Sequence, residues 1–459
     1  MALTQYGIVS TTLTPTTYSM QSPTAFTITG FSYTNPNVTI TTSVTHNIVV
    51  GQQIAVYGIV HSGTPVIDST YNVTAVGSNT ITFNYGATTP GTYTSGGLVR
   101  TRMQGQPSII KYVNGTYFAA TDNGSYFYSS DGINWIPGTV PTTNSINGID
   151  WDGTTYAVCT YNGQIYTSTT LAPGSWTNRS NLTKSWYGIK WLGGSTNKWI
   201  VYGAGSGAST VPGTSGDVYI ASSGAATWTA YSVTGSTPSE GWTGLAFDGN
   251  QTIALISPSA LAVSTNATAS FIAYTRDSSY RPNGVSAQLS FPEASSCDFV
   301  LYNPVAAKWM ALMGGANNYV GMSTAGALSS PWTKMISQTF IRSMYHTTST
   351  SPFQLTDSRN MMQVDTASGK LLTYTFDAGV FTAYGYNLTP TSLNTLEEFY
   401  PLVSVQTSTN IPGMQYFNSA TGILSRTGVA GYFNNKWVLF YAPTTSRNFP
   451  NNYNITILQ

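Results

Sequence analysis

The chain has 459 residues with a formal net charge of +1, and only 7% of its residues are charged. That excludes the basic stripe a nucleic-acid reader needs, and no apolar run approaches the ~20 residues of a membrane-spanning helix. Solubility must come from Ser, Thr, Asn, Gln and Gly. With 31 Tyr and 11 Trp, the composition suits an all-β protein whose surfaces meet other protein or carbohydrate, and it is poor in helix formers. The start, MALTQYGIVSTT, lacks the basic and apolar regions of a cleavable signal, so folding in a cytoplasm is expected. Cys159 and Cys297 lie in separate apolar runs and read as buried free thiols.

Residues 1–36 are rich in Thr and Ser and read as an arm or edge strands. From Val38 the runs VTITTSVTHNIVVGQQIAVYGIV, TYNVTAVGSNTITFNY and GGLVR are β-branched and bounded by Gly, Asn or Pro. They predict about five strands of a small barrel or sandwich over 37–104. The series Thr45-His46-Asn47, Val50-Gly51-Gln52, Tyr71-Asn72-Val73-Thr74-Ala75-Val76 and Thr80-Ile81-Thr82-Phe83 resembles a small β module of tailed-bacteriophage virion proteins. That resemblance covers about sixty residues of 459 and implies a docking domain. His46 and His61 have no third histidine or acidic cluster beside them, so they read as turn-capping or surface residues, not metal ligands. Gly96, Gly97 and Gln104-Gly105-Gln106-Pro107 mark the boundary.

Ile109–Trp135 holds three short apolar runs separated by Asn114-Gly115, Asn123-Gly124 and Asp131-Gly132, the pattern of antiparallel strands joined by tight turns. The end of its third strand, Phe127-Tyr128-Ser129, recurs at Ile165–Ser168, Tyr219–Ser222, Leu261–Ser264 and Val320–Ser323. Each copy is followed by an aromatic: Trp135, Trp176, Trp228, Phe271 and Trp332. A second marker keeps step with it, the hairpin before each of these strands, at Tyr112–Tyr117, Trp151–Tyr156, Trp191–Trp199, Phe247–Ala254, Tyr302–Trp309 and Tyr432–Trp437, aromatic at both ends in all but the fourth. Periods of about 40–50 residues belong to four-stranded propeller blades. The predicted fold is therefore all-β, a small N-terminal barrel or sandwich followed by a six- or seven-bladed propeller over 105–459. An irregular insertion is expected near 385–428, and Tyr453–Leu458 is expected to complete a blade begun near Leu98–Met103.

Ser130-Asp131-Gly132-Ile133-Asn134-Trp135 resembles the Asp-box turn of sialidases and related propellers, with Gly132 directly after Asp131 where that family has one residue between them. In that family the box is a structural hairpin away from the active site, so Ser130, Asp131, Gly132 and Trp135 are expected to be structural. A sialidase-like glycosidase needs a Tyr nucleophile, a Glu, an Asp and clustered arginines. Glu240, Glu293, Glu397 and Glu398 sit in no such context, and Tyr280-Arg281-Pro282 is only a faint echo of the family's arginine motif. Asp122, Asp131, Asp152 and Asp248 read as turn caps, and His346 stands alone. No catalytic residue, cofactor or metal ligand is assigned. Trp186, Tyr187, Trp191 and Trp199 crowd together and offer either a glycan- or partner-binding surface or packing between blades.

The resemblances and the composition imply a non-enzymatic structural protein of a tailed bacteriophage virion, at the tail nozzle, tip or fibre. Its partners would be other virion proteins, copies of itself and host-surface polysaccharide. A glycan-binding adhesin and a capsid decoration protein are the variants of that reading.

Overall fold

A computed structural model describes residues 14–21, most of 25–101 and most of 105–264. Beyond these it describes 271–275, 296–314, 319–323, 332–336, most of 362–386, 403–410, 428–441 and 452–458. All elements among these residues are strands.

Six strands, Phe26–Thr34, Asn37–Thr42, Gln53–His61, Ser69–Val76, Thr80–Asn84 and Tyr93–Thr101, form a closed barrel. The first pairs with the second and the last, and the fifth lies between the second and the fourth. Asn37–Thr42 shows why. Every second residue is buried, so Val38 and Ile40 point inward while the threonines between them face out, as a period of two requires. Ile54, Val73, Ile81, Phe83 and Val99 complete this core. Tyr71 stacks on Phe83 with ring centroids 4.1 Å apart, and its hydroxyl donates to the Ile67 carbonyl at 2.8 Å. Burial pushes its pKa up to about 12, so it remains a donor at any physiological pH. The domain thus begins at Phe26, inside the stretch expected to be an arm or edge strands. Closure leaves the barrel no free edge.

The remaining strands form seven small sheets among the described residues. Sheet 1 comprises Pro107–Val113, Thr116–Thr121, Ser125–Ser129 and Ile136–Thr139, paired in chain order. Sheets 2 and 3 repeat the plan within 146–178 and 184–230, and sheets 5 and 6 within 296–336 and 362–410. Sheet 4, within 233–275, adds a fifth strand, Val233–Gly235, parallel to Phe271–Thr275. Sheet 7 consists of Gly428–Phe433, Lys436–Tyr441, Asn452–Leu458 and, from the other end of the chain, Pro15–Gln21.

That last pairing corrects the predicted closure. Asn452–Leu458 pairs with Pro15–Gln21 in full register, from Pro15 opposite Leu458 to Gln21 opposite Asn452. The segment expected to take this place belongs to barrel strand Tyr93–Thr101. Leu98 to Thr101 pair with Tyr57 to Ile54 inside the barrel, so they are not available to sheet 7, whose outer edge is filled by Pro15–Gln21. Val403–Asn410 is a regular fourth strand of sheet 6, so part of the stretch expected to be irregular is not. The rest of that stretch, 387–402 and 411–427, lies outside the described residues.

Both sequence markers find their place. The recurring Ser ends or immediately follows the third strand of sheets 1 to 5. The aromatic hairpin ends pair directly across the first two strands: Tyr112 with Tyr117, Trp151 with Tyr156, Trp191 with Trp199, Tyr302 with Trp309 and Tyr432 with Trp437. Their ring centroids stand 4.2 to 5.3 Å apart, in contact range for aromatic pairs.

Sheets pack face to face with their neighbours in chain order, through apolar residues that one small sheet cannot cover alone. Ile109, Phe118 and Tyr126 of sheet 1 meet Ile149, Tyr156 and Val158 of sheet 2. Cys159 and Ile165 meet Trp186 and Trp199 of sheet 3. Ile110 and Phe127 of sheet 1 also meet Val438, Phe440 and Ile455 of sheet 7, so the series returns to its start. Cys159 is a buried free thiol, as expected; the Cys297 side chain lies outside the described residues.

Candidate functional site

Two structural features bear on function: a set of polar clips between sheets, and a cleft where the barrel meets sheets 1 and 2. The clips come from the turn between the first and second strands of sheets 1, 2, 5 and 7. Asn114 Nδ2 donates to Tyr156 Oη of sheet 2 at 2.8 Å, and Asn434 Nδ2 donates to Tyr117 Oη of sheet 1 at 3.3 Å. Asp152 does more. Its Oδ1 accepts the Thr154 and Thr155 amides at 2.9 and 2.6 Å, closing its own turn. Its Oδ2 accepts Trp199 Nε1 at 3.1 Å, Ser223 Oγ at 3.0 Å and the Gly224 amide at 2.7 Å, all in sheet 3 or its connections. Burial pushes this carboxyl up, but the Gly224, Thr154 and Thr155 amides and the Thr154 hydroxyl outweigh it and hold the pKa at about 2. Sheet 5 reaches sheet 6 the same way, with Asn303 Nδ2 donating to the Gly369 carbonyl at 2.8 Å. An aromatic polar head buried between sheets needs a partner, and a short amide or carboxylate at a turn provides it.

The Asp-box-like turn is structural in its local geometry. Asp131 Oδ1 accepts the Ile133 and Asn134 amides at 2.7 and 2.8 Å, and these bonds hold its carboxyl well below the usual carboxylate range. Trp135 Nε1 donates to the Gly132 carbonyl at 2.9 Å. Gly132 has φ +76°, and a Cβ there would lie 3.1 Å from Ile457 Cδ1, so the turn presses on sheet 7 at a point only glycine fits. The serine is a correction. Ser129, not Ser130, donates to Asp131 at 2.8 Å and accepts the Gly132 amide at 2.8 Å. Ser129 is the last residue of its strand and faces inward, while Ser130 is exposed. Ser168 plays the same part in sheet 2, accepting the Thr170 amide at 3.1 Å, which explains why serine recurs there.

The four crowded aromatics do not make one exposed surface. Trp186 and Trp199 are 0% exposed and pack with Cys159, Ile165 and Trp228 between sheets 2 and 3. Trp191 is half-buried against Trp199, and Tyr187 packs on the neighbouring cluster with Trp242 and Tyr202. Trp186 and Tyr187 stand at a bulge in their strand and pack into different clusters.

His46 and His61 serve the barrel's turns. The Ile48 amide approaches His46 Nδ1 at 3.2 Å while Nε2 faces the Thr80 carbonyl at 3.1 Å. The Ile67 amide approaches His61 Nε2 at 3.2 Å while Nδ1 faces the Pro90 carbonyl at 2.6 Å. Each ring therefore works as a neutral tautomer that accepts one bond and donates one. Among the described residues no group of three His, Cys, Asp or Glu could hold a metal ion. Glu240, Glu293, Glu397, Glu398, Tyr280-Arg281-Pro282 and His346 lie outside the described residues.

The cleft, of about 340 Å³, has Gly51, Gln53 and Asn72 of the barrel on one wall. Facing them are Asn123, the 139–144 connection between sheets 1 and 2, and Gln164. The connection is fixed from beneath: the Val140 amide donates to the Gly124 carbonyl at 2.9 Å, and Tyr166 Oη donates to the Pro141 carbonyl at 2.9 Å. Gln164 Oε1 accepts Thr142 Oγ1 at 2.7 Å and Asn144 Nδ2 at 3.3 Å. Barrel and connection approach closely. A Cβ at Gly51 would stand 3.2 Å from Pro141 Cβ, and one at Gly174 would stand 2.8 Å from Val49. Sequence reasoning missed the cleft because its walls come from five separate stretches with no shared motif.

Strand order, the hairpin repeat and the return of the series to sheet 1 define the class: an all-β, β-propeller-like protein. No family model matches the chain, and no curated protein does. Two solved structures show a distant similarity. One is described as YCF48 bound to D1 peptide, at 9% identity and TM-score 0.43, covering 77% of this chain and 92% of that one. The other is described as the mitotic checkpoint complex, at 10% identity and TM-score 0.39, covering 77% and 90%. Likeness at that level assigns no function, so the functional reading rests on the chain's own residues.

Proposed function

We propose that this chain is a non-enzymatic structural component of a tailed bacteriophage virion. Its seven sheets would form a seven-bladed propeller and its barrel a docking domain, at the tail nozzle, tip or fibre. The observation that carries the reading is the barrel itself. Its strands take in much of the stretch that resembles the phage β module, Tyr71–Val76 and Thr80–Phe83 among them, and His46 and His61 brace its turns. The barrel also lies in the chain between the closing strand Pro15–Gln21 and the first strand of sheet 1, so it is tied to the ring at two adjacent points. A surface with few charges suits large contacts with neighbouring subunits, where charge is depleted.

The test is mass spectrometry of purified virions from cells infected by the phage encoding this chain, with cryo-electron microscopy to locate it. The expected result is stoichiometric incorporation at the tail, with the barrel at the contact to the rest of the particle. Absence from virions, or reducing-end release from host polysaccharide by the purified chain, would overturn the proposal.

A further inference from the structure

The cleft between the barrel and sheets 1 and 2 has a definite chemical character. Its polar groups are amides and hydroxyls, and no charged side chain lines it. Amide and hydroxyl groups both donate and accept, which suits a ligand whose groups do the same. A charged ligand would leave its charge unpaired, at a desolvation cost. The volume of about 340 Å³ lies at the small end of the roughly 300–1,000 Å³ of ligand sites.

The internal hydrogen bonds leave specific groups facing the space. Gln164 spends Oε1 on Thr142 and Asn144, which fixes the amide plane and leaves Nε2 as a donor with no partner within the protein. Asn72 lines the opposite wall, is exposed, and makes no side-chain hydrogen bond to the protein. Pro141, exposed beside them, gives an apolar edge. A donor held in orientation, an amide able to donate and accept across from it, and an apolar strip beside both form a complementary set for a ring bearing hydroxyls and C–H faces.

We propose that this cleft binds a neutral saccharide unit, a mono- or disaccharide with no carboxylate, sulfate or phosphate. Gln164 Nε2 would donate to a ring or hydroxyl oxygen, and Asn72 would bond a hydroxyl from the barrel side. Binding there would bridge barrel and ring. It does not depend on a virion role, because the walls belong to this chain alone.

The experiment is saturation-transfer NMR and calorimetry on the full chain. The panel holds glucose, galactose, mannose, N-acetylglucosamine and their disaccharides, with sialic acid and glucose 6-sulfate as charged controls. The expected result is saturable binding of at least one neutral sugar and none of the charged pair, with Asn72→Ala and Gln164→Ala each weakening it about three- to tenfold. Hydrogen exchange should slow over 139–144 when sugar is bound. Gln164→Ala also loosens the loop, but Asn72→Ala removes no bond within the protein, so its effect reads the ligand contact. No binding across the neutral panel, equal binding of charged sugars, or affinity unchanged in Asn72→Ala would each overturn the proposal.

Discussion

Replacing Asp152 with alanine should open the seam between sheets 2 and 3 while leaving the rest of the ring intact. Six donors converge on this carboxylate. The Thr154 and Thr155 donors lie at a partly exposed turn, where water can replace the carboxylate. Trp199 cannot be served that way: it is 0% exposed, and its indole N–H would be left buried and unpaired at about 1–3 kcal/mol. With the weakened Gly224 contact added, local opening should become easier by about 2–3 kcal/mol, which is about 30- to 150-fold in exchange rate. Hydrogen exchange read by mass spectrometry over 198–205 and 218–224 should show this, while peptides from sheet 6 stay unchanged. Asp152→Asn should fall between, because its single carbonyl oxygen can serve the turn or the neighbouring sheet but not both.

The same carboxylate predicts a pH dependence. Its folded pKa of about 2 lies below the ordinary value near 4. Its contribution is therefore fully present above about pH 4 and is lost as the pH falls from there through about 2. A shift of that size is ~2.5 kcal/mol before screening; for a half-buried group about 1 kcal/mol is the reasonable figure. The stability gap between the wild-type chain and Asp152→Asn should narrow over that window. A gap flat from pH 5 to pH 2, or unchanged exchange over 198–205 in Asp152→Ala, would refute the clip.

Tyr126→Phe should cost about 2 kcal/mol in urea unfolding followed at sheet 1, because Tyr126 Oη donates to the Leu171 carbonyl at 2.8 Å and accepts Trp176 Nε1 at 2.9 Å in a buried place. Trp186→Ala should lower stability by about 3–5 kcal/mol without changing binding to any glycan. Selective loss of binding at full stability would restore it to a surface role. Deleting residues 1–21 strips Asn452–Leu458 of its partner and exposes a strand edge, so light scattering should show self-association; a monodisperse monomer of unchanged stability would show that the strand is dispensable.

The sheets were largely legible because their signals are local. Tyr112 and Tyr117, or Tyr432 and Trp437, flank a turn of Asn and Gly or Asn and Asn, so pairing and turn chemistry stand within six residues of each other. Ser129 and Ser168 were visible as a repeat before their hydroxyls were seen to organise the next turn. Of the two readings that the crowding of Trp186, Tyr187, Trp191 and Trp199 allowed, Trp186 and Trp199 follow the second, packing between sheets. Two things carried no local signal. Pro15–Gln21 has its partner more than 400 residues away and is as Thr- and Ser-rich as a disordered arm. The turn aspartates read correctly as caps, but nothing in Asp152-Gly153-Thr154-Thr155 announces that the second oxygen serves the next sheet.

That second oxygen bears on how the chain can carry load. A ring of small sheets is as strong as its weakest seam, and the two distant stretches of chain are joined within sheet 7, by seven paired residues between Pro15–Gln21 and Asn452–Leu458. The neighbouring seam with sheet 1 is held by the Tyr453 hydroxyl on the Gly105 carbonyl at 2.8 Å and by Asn434 on Tyr117. The barrel's two connections enter on either side of that same seam, after Gln21 and before Pro107. Force applied to the barrel therefore reaches sheet 7 along its outermost strand, where seven residue pairs share it in shear. It reaches sheet 1 at the strand whose side chains already pack on sheet 7. A domain fused to one free terminus would instead peel a single edge strand. Placing the barrel between the closing strand and the first sheet puts that seven-pair ladder in line with the pull.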